Sequence, residues 1–315
     1  MSSGQERVLR RRIRSIESTE KLTRAMDLIS ASQIVRAQNR IAASRPYVEG
    51  IGEILAITNA DLGRASPLGG VPGDPRHVLV VAVVADRGLC GAYNSNVLRT
   101  ADRVMRAGED EGRAYSLVTI GRRAQRYFRF HGREIETAFV KMTERPSYED
   151  ACRVARELTV PFLAGSVDLV QLVSTRFRSA GIQAVEVRQL LPLAPTGGAL
   201  GAGTVAEPRP HAGFYDFEPE APDLLAALVP SFAEAAIFEA LLEASASEHT
   251  ARQRAMAAAT ENAEDLSTTL GRTMNRVRQD SITTEIMEIV GGAEALRLAG
   301  RAPGSETTTD SLSEE

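Results

Sequence analysis

Tryptophan is absent from this chain of 315 residues, and aromatic residues make up only 5% of it. A protein that holds nucleic acid by stacking its bases needs aromatic faces, so that class is disfavoured from the outset. The net charge of -4 adds no general pull on a phosphate backbone. No apolar run approaches the ~20 residues that a membrane-spanning helix needs. The longest, Val78 to Ala85, suits a buried strand. Cysteine is nearly missing: Cys90 and Cys152 cannot build a disulfide scaffold, and with the four His they show no zinc-ligand spacing. The phosphate loop Gly-x-x-x-x-Gly-Lys-Ser/Thr occurs nowhere. The N-terminus is Arg-rich but lacks an apolar signal core and carries Glu6 and Glu17, so the chain reads as cytoplasmic and unprocessed. No catalytic, cofactor or metal site is expected.

What the chain does have is apolar material, 43% of its residues, enough for a substantial core. It divides into segments. Over residues 1–62, Leu9, Ile13, Ile16, Leu22, Met26, Ile29, Ile34, Ala37 and Ile41 recur in helical steps, with slips between groups like a coiled-coil stutter. Such a helix is on the order of 80 Å long, too long to hide in a compact domain. Pro46 is expected to kink or end it. Its charge is lopsided: from Arg7 to Arg45 there are ten basic and three acidic residues. That face reads as solvated surface, as a nucleic-acid contact, or as a shaft facing an acidic partner.

Residues 77–193 alternate strand and helix patterns. Strands are expected at Val78–Val84, Tyr115–Ile120, Val167–Ser174 and Gln183–Leu191, and helices at Asn94–Ala107, from Arg122, and at Ser147–Leu163. This alternation favours a Rossmann-like α/β domain, a mostly parallel sheet covered on both faces. Residues 194–221 read as a flexible Gly- and Pro-containing loop and connection. Over residues 222–299, Leu266, Leu270, Met274, Val277, Ile282, Ile286 and Ile289 again step by three and four, with Pro230 expected to mark a break or a start and Gly291-Gly292 an interruption. Residues 300–315 form an acidic tail that reads as disordered. Two helices this long need partners for their apolar stripes, and the economical arrangement is an antiparallel coiled coil.

The turn Asp86-Arg87-Gly88-Leu89-Cys90-Gly91 follows the first strand, where α/β folds often bind ligands. No dinucleotide fingerprint accompanies it. Cys90 as a nucleophile lacks a neighbouring His in sequence, and its plainer reading is a small semi-buried residue in a tight turn.

The two ends and the centre carry a family pattern. Arg11-Arg12-Ile13-Arg14-Ser15-Ile16, Lys21-Leu22-Thr23-Arg24-Ala25-Met26, Ala31-Ser32 and Arg36-Ala37-Gln38 resemble the N-terminal signature of the gamma subunit of F-type ATP synthases of the bacterial type. Asp86 to Gly91 resembles the central motif of that family. Ala255-Met256, Ala259-Thr260-Glu261-Asn262-Ala263 and Ile282 to Ala293 resemble its C-terminal blocks. After Ser32 the chain has Gln33 where the family usually has Lys.

The resemblance implies a rotor with no chemistry of its own. The paired end helices would stand inside a ring of three alpha and three beta subunits, with the α/β domain on the ring of c subunits and an epsilon subunit beside it. Membrane contact would come only through the c ring, at the cytoplasmic face of the bacterial plasma membrane. It also implies shaft-to-ring contacts at Met26, Arg36, Gln38, Arg278 and Gln279. Two other readings remain at this point: a nucleotide-binding enzyme on the α/β domain, and a coiled-coil scaffold for nucleic acid.

Overall fold

Successive side chains of a strand point to opposite faces, and β1 (His77–Val83) uses both faces for core. Val78, Val80 and Ala82 enter one apolar cluster, and Leu79, Val81 and Val83 enter another. A strand apolar on both sides must be central and covered twice. In the computed structural model, which describes residues 2–62, 75–192, 218 and 221–299, β1 is the middle strand of five. The order is β3-β2-β1-β4-β5, with β2 at Ala114–Ile120, β3 at Thr137–Phe139, β4 at Leu169–Phe177 and β5 at Gln183–Leu191. The first four strands are parallel and β5 pairs antiparallel with β4. The short edge strand β3 is one that sequence pattern does not anticipate.

One face of the sheet is covered by α2 (Tyr93–Asp110) and α3 (Arg122–Phe130), through Val97, Leu98, Ala101, Met105, Ala124 and Phe128. The other face is covered by α4 (Tyr148–Leu163) and by parts of the two terminal helices, α1 (Ser2–Leu62) and α5 (Ala221–Ala299). α4 starts where the sequence says it should: Ser147 and Asp150 form a reciprocal capping box. From α1 come Val48, Ile51 and Leu55, and from α5 come Phe232, Ile237 and Leu241. The α/β expectation therefore holds, with the terminal helices themselves forming part of the cover.

Two compact units are distinguished: Thr23–Ala258, which holds the sheet, and the stretch to Leu22 together with that from Ala259 onward. In the latter the start of α1 is grouped with the stretch of α5 from Ala259, and because α1 leaves this unit where α5 enters it, the helices run antiparallel there. The positions they cover include Glu6, Leu9, Ile13, Ile16 and Glu20 on α1, and Ala263, Ser267, Leu270, Met274, Val277 and Ser281 on α5. Steps of three and four alternate without interruption, the seam of a coiled coil.

This seam corrects the stripe expected from sequence. Within the sheet unit, covered positions of α1 include Thr23, Asp27, Ser30, Ile34, Ala37, Ile41, Ser44, Val48, Ile51 and Leu55, again in alternating steps of three and four, the last three packed in the core beside the sheet. The apparent slips arose because polar residues occupy seam positions while Leu22 and Ile29 are exposed. Buried hydroxyls there are satisfied along the helix: Ser30 Oγ donates to the Met26 carbonyl at 2.7 Å. On α5, likewise, Leu266, Ile282, Ile286 and Ile289 are exposed rather than on the seam.

None of the three expected breaks ends its helix. Pro46 lies inside α1, and Pro230 and Gly291-Gly292 lie inside α5. Pro46 is exposed, so the carbonyl one turn back that loses its partner can turn to water. Gly291 and Gly292 have open space around them, and glycine weakens a helix by only about 1 kcal/mol without ending it. The loop and tail expected at 194–221 and 300–315 fall almost wholly outside the described residues.

Candidate functional site

The turn after β1 is built by its own polar residues. Asn94, at the start of α2, accepts the Ala85 N–H at 2.9 Å through Oδ1, and its Nδ2 donates to Cys90 Sγ at 3.0 Å. The Asp86 carboxylate accepts the Arg122 N–H at 3.1 Å and the Thr143 hydroxyl at 3.2 Å, tying the turn to the two neighbouring loops. Arg87 pairs with Glu144 at 3.0 Å. Gly91 takes φ +55, a left-handed conformation that favours glycine, and faces the Ala255 methyl. Gly121, at φ +98, admits the Val84 carbonyl so closely that any Cβ would strike it.

Against this turn lies α5. Arg252 spans from the Glu248 carboxylate, at 2.6 Å, to the Gly88 carbonyl, at 3.4 Å. Glu248 is fully buried and Arg252 nearly so. Burial drives the Glu248 carboxyl upward, and Arg252 opposes that shift. Nearby, Ser245 donates to the Glu144 carbonyl at 3.0 Å, and burial lowers the proton affinity of His249. The central motif is thus a seat for the helix.

Its cysteine is unsuited to attack. Cys90 is buried, and desolvation together with the neighbouring Glu248 raises its thiol above the ordinary range, away from the reactive thiolate. A cavity of about 430 Å³ beside it is lined by Cys90, Gly91, Tyr93, Thr175, Ser247 and Ala255 among others. It holds no base next to a nucleophile. Among the described residues there is no group of His, Cys, Asp and Glu fit to hold a metal ion, and no helix long and apolar enough to cross a membrane.

The residues put forward as partner contacts lie elsewhere on the terminal helices. Met26 and Gln38 are half-buried and Arg36 is exposed, all in the unit that holds the sheet. Arg278 and Gln279 are exposed, in the other unit. The central residues Asp86, Arg87, Gly88, Cys90 and Gly91 do come together in one turn. Sequence reasoning missed Thr143 and Arg252 as its partners. Glu248 four residues before Arg252 on one helix was the signal available for the second.

The class of fold is an α/β sheet whose one face is closed by the chain's own terminal helices, with a polar turn seating one of them. Solved structures share that fold. The Euglena gracilis mitochondrial ATP synthase structure of OSCP, F1 and c-ring aligns at TM-score 0.67 and 18% identity, over 98% of this chain and 99% of that one. The central stalk and c-ring structure from Tetrahymena thermophila aligns at TM-score 0.58 and 20% identity, over 76% of this chain and 99% of that one. A family model described as ATP synthase matches residues 5–296. An ATP synthase gamma chain from Parafrankia sp. is 43% identical over 93% of this chain and 98% of its own length, and one from Streptomyces coelicolor is 40% identical over 93% and 96%. The chain belongs to the ATP synthase gamma family.

Proposed function

We infer that this chain is the central rotor shaft of an ATP synthase, coupling ion-driven rotation of a c ring to conformational cycling of three catalytic beta subunits. The observation that carries this reading is the exposed end of α5. From Ile282 to Arg297 every residue is exposed, including Ile286, Ile289, Val290 and Leu296. Apolar residues exposed in such density mark a surface that another protein covers. Family membership names that protein: a ring of three alpha and three beta subunits, with the α/β domain on the c ring and an epsilon subunit beside it.

The chain itself is non-catalytic in this reading. Its work is differential contact. An asymmetric shaft presents a different face to each of three identical sites, and only unequal interaction can shift one site relative to another. One charge crossing 100 mV yields ~2.3 kcal/mol, so several crossings are summed for each ATP and delivered through the shaft. The chain works at the cytoplasmic face of a bacterial plasma membrane, touching the bilayer only through the c ring.

Met26, Arg36, Gln38, Arg278 and Gln279 are the proposed contacts with the ring. Met26 is half-buried on α1 beside the hydroxyl-lined seam, so a charge there would face whatever packs on that side. Co-expression with matching alpha and beta subunits tests the reading. A stoichiometric complex whose steady ATP hydrolysis requires this chain supports it. A chain that stays alone and binds or hydrolyses nucleotide by itself overturns it. In the assembled complex, Met26→Lys is expected to lower ion pumping per ATP severalfold while assembly persists. Pumping at the parental ratio would remove Met26 from the contact.

A further inference from the structure

Where α5 crosses the sheet, residues Ala240 to Thr250 are all buried. A helix hidden on every side is ordinarily apolar all round. This one carries Glu243, with Glu239 one turn before it. Facing them from β4 and β5 are Arg176 and Arg188: Glu243 lies 3.5 Å from Arg188 and 3.9 Å from Arg176. Arg188 also donates to Ser174 Oγ at 3.2 Å, and Arg176 pairs with Glu186 at 3.5 Å.

The sheet face beneath α5 changes character along its length. Leu172 and Leu190 belong to the apolar cluster that also receives Leu241 and Ala244 from α5. Two residues on, the same face of β4 presents Ser174 and then Arg176, and β5 presents Arg188 and then Glu186. Leu172 stands opposite Arg188 and Ser174 opposite Glu186, so apolar and charged side chains border one another on this face, and the helix above matches both.

We propose that Glu243, with Arg176 and Arg188, fixes the register of α5 on the sheet, and with it the angle between the α/β domain and the outward faces of the helix. Hydrophobic packing alone is non-directional and tolerates sliding. Turning α5 on its axis would swing Glu243 away from both arginines and leave Arg188 buried without its partner, whereas a slide of a whole turn, about 5.4 Å, would only exchange Glu239 and Glu243, so the cluster guards rotation. A shift of one residue would rotate every outward face by about 100°. In a structural domain such a slip costs only some packing. In a part whose output is an angle it is a phase error. The cluster is a positioning device. Several of its polar atoms, Nε and Nη1 of Arg188 and Oε2 of Glu243, make no hydrogen bond. Net stability is therefore a poor reason for the cluster, and specificity of placement a better one.

This inference rests on the rotor reading, and one experiment separates the two. The complex is assembled with parent chain and with the apolar pair Glu243→Leu plus Arg188→Leu, and a bead on the α/β domain reports the angles at which single complexes pause. The parent is expected to pause at three angles fixed relative to the bead. The apolar pair is expected to assemble with unchanged or higher melting temperature. Its pauses should spread over additional angles, and ion pumping per ATP should fall at least twofold. Glu243→Asp, which keeps the charge, should restore the three angles. If the apolar pair does not assemble, the near-isosteric Glu243→Gln is read in the same way. Three sharp pauses and parental pumping in the assembled variant overturn the register proposal and leave the rotor reading standing. Failure of the parent chain to assemble defeats the rotor reading itself.

Discussion

Two stretches of α5 obey opposite rules. Ala240–Thr250 is buried throughout and yet carries Glu243 and Glu248, whereas Ile282–Arg297 is exposed throughout and yet carries isoleucine, valine and leucine. An ordinary domain does the reverse with both. The buried stretch grips its own domain through charges, each of which accepts only a partner of opposite sign in one place. The exposed stretch offers apolar surface, which adheres to any complementary shape and permits sliding. A helix held tightly at one stretch and slidable at another is what a turning part inside a stationary ring needs.

That contrast can be broken most severely at Arg252. Arg252→Met leaves Glu248, which is 0% exposed, without its cation. Breaking a buried pair on one side costs about 3–5 kcal/mol, read as lost unfolding free energy of the full chain in urea. A loss below about 1 kcal/mol would mean that the buried charges do not grip.

A gentler change is Glu243→Gln. Burial pushes the Glu243 carboxyl up to about 7, with Arg188 and Arg176 opposing and Glu239 and Glu186 adding to the rise. The folded state therefore holds a proton that the unfolded chain has already released. Stability is full below the ordinary carboxylate range and declines as pH rises through 7. Over pH 5 to 8 the parent should lose up to about 3 kcal/mol, and the variant should lose markedly less. Denaturant midpoints across that range decide it, and parallel curves would show that Glu243 stays ionised throughout.

The smallest effect on folding is expected at the other stretch. Ile289, 72% exposed, should cost under about 0.5 kcal/mol when changed to Ser. Its effect should appear in association instead, as weaker binding to the alpha and beta subunits. An Ile289→Ser chain that unfolds more easily but binds normally would make this stretch part of the chain's own core.

The sequence made some of this legible and hid the rest for physical reasons. The β1 run and the Ser147 capping box announce themselves because their causes are local: consecutive apolar residues in one case, a side chain reaching its own helix start in the other. The three-residue β3 is too short to show any period. The stripe on α1 was misread at Leu22 and Ile29 because apolarity was the guide. Position in the heptad governs which residues are covered, and Thr23 and Ser30 hold those places. Pro46 and Pro230 fail to end their helices because packing on other turns outweighs a local cost of a few kcal/mol, and Gly291-Gly292 fails because glycine costs a helix only about 1 kcal/mol. At the site, the turn from Asp86 to Gly91 could be seen, but not its seat. Arg252 lies far along the chain from Gly88, and Arg176 and Arg188 far from Glu243, so no local signal joins them.

The uninterrupted seven-residue seam has one more consequence. A repeat of that length winds a helix pair into a left-handed rope. Such a rope is not its own mirror image: a torque of one sense tightens its lay, and the opposite sense opens it. A shaft of this kind meets torque of the two senses with springs of unequal stiffness.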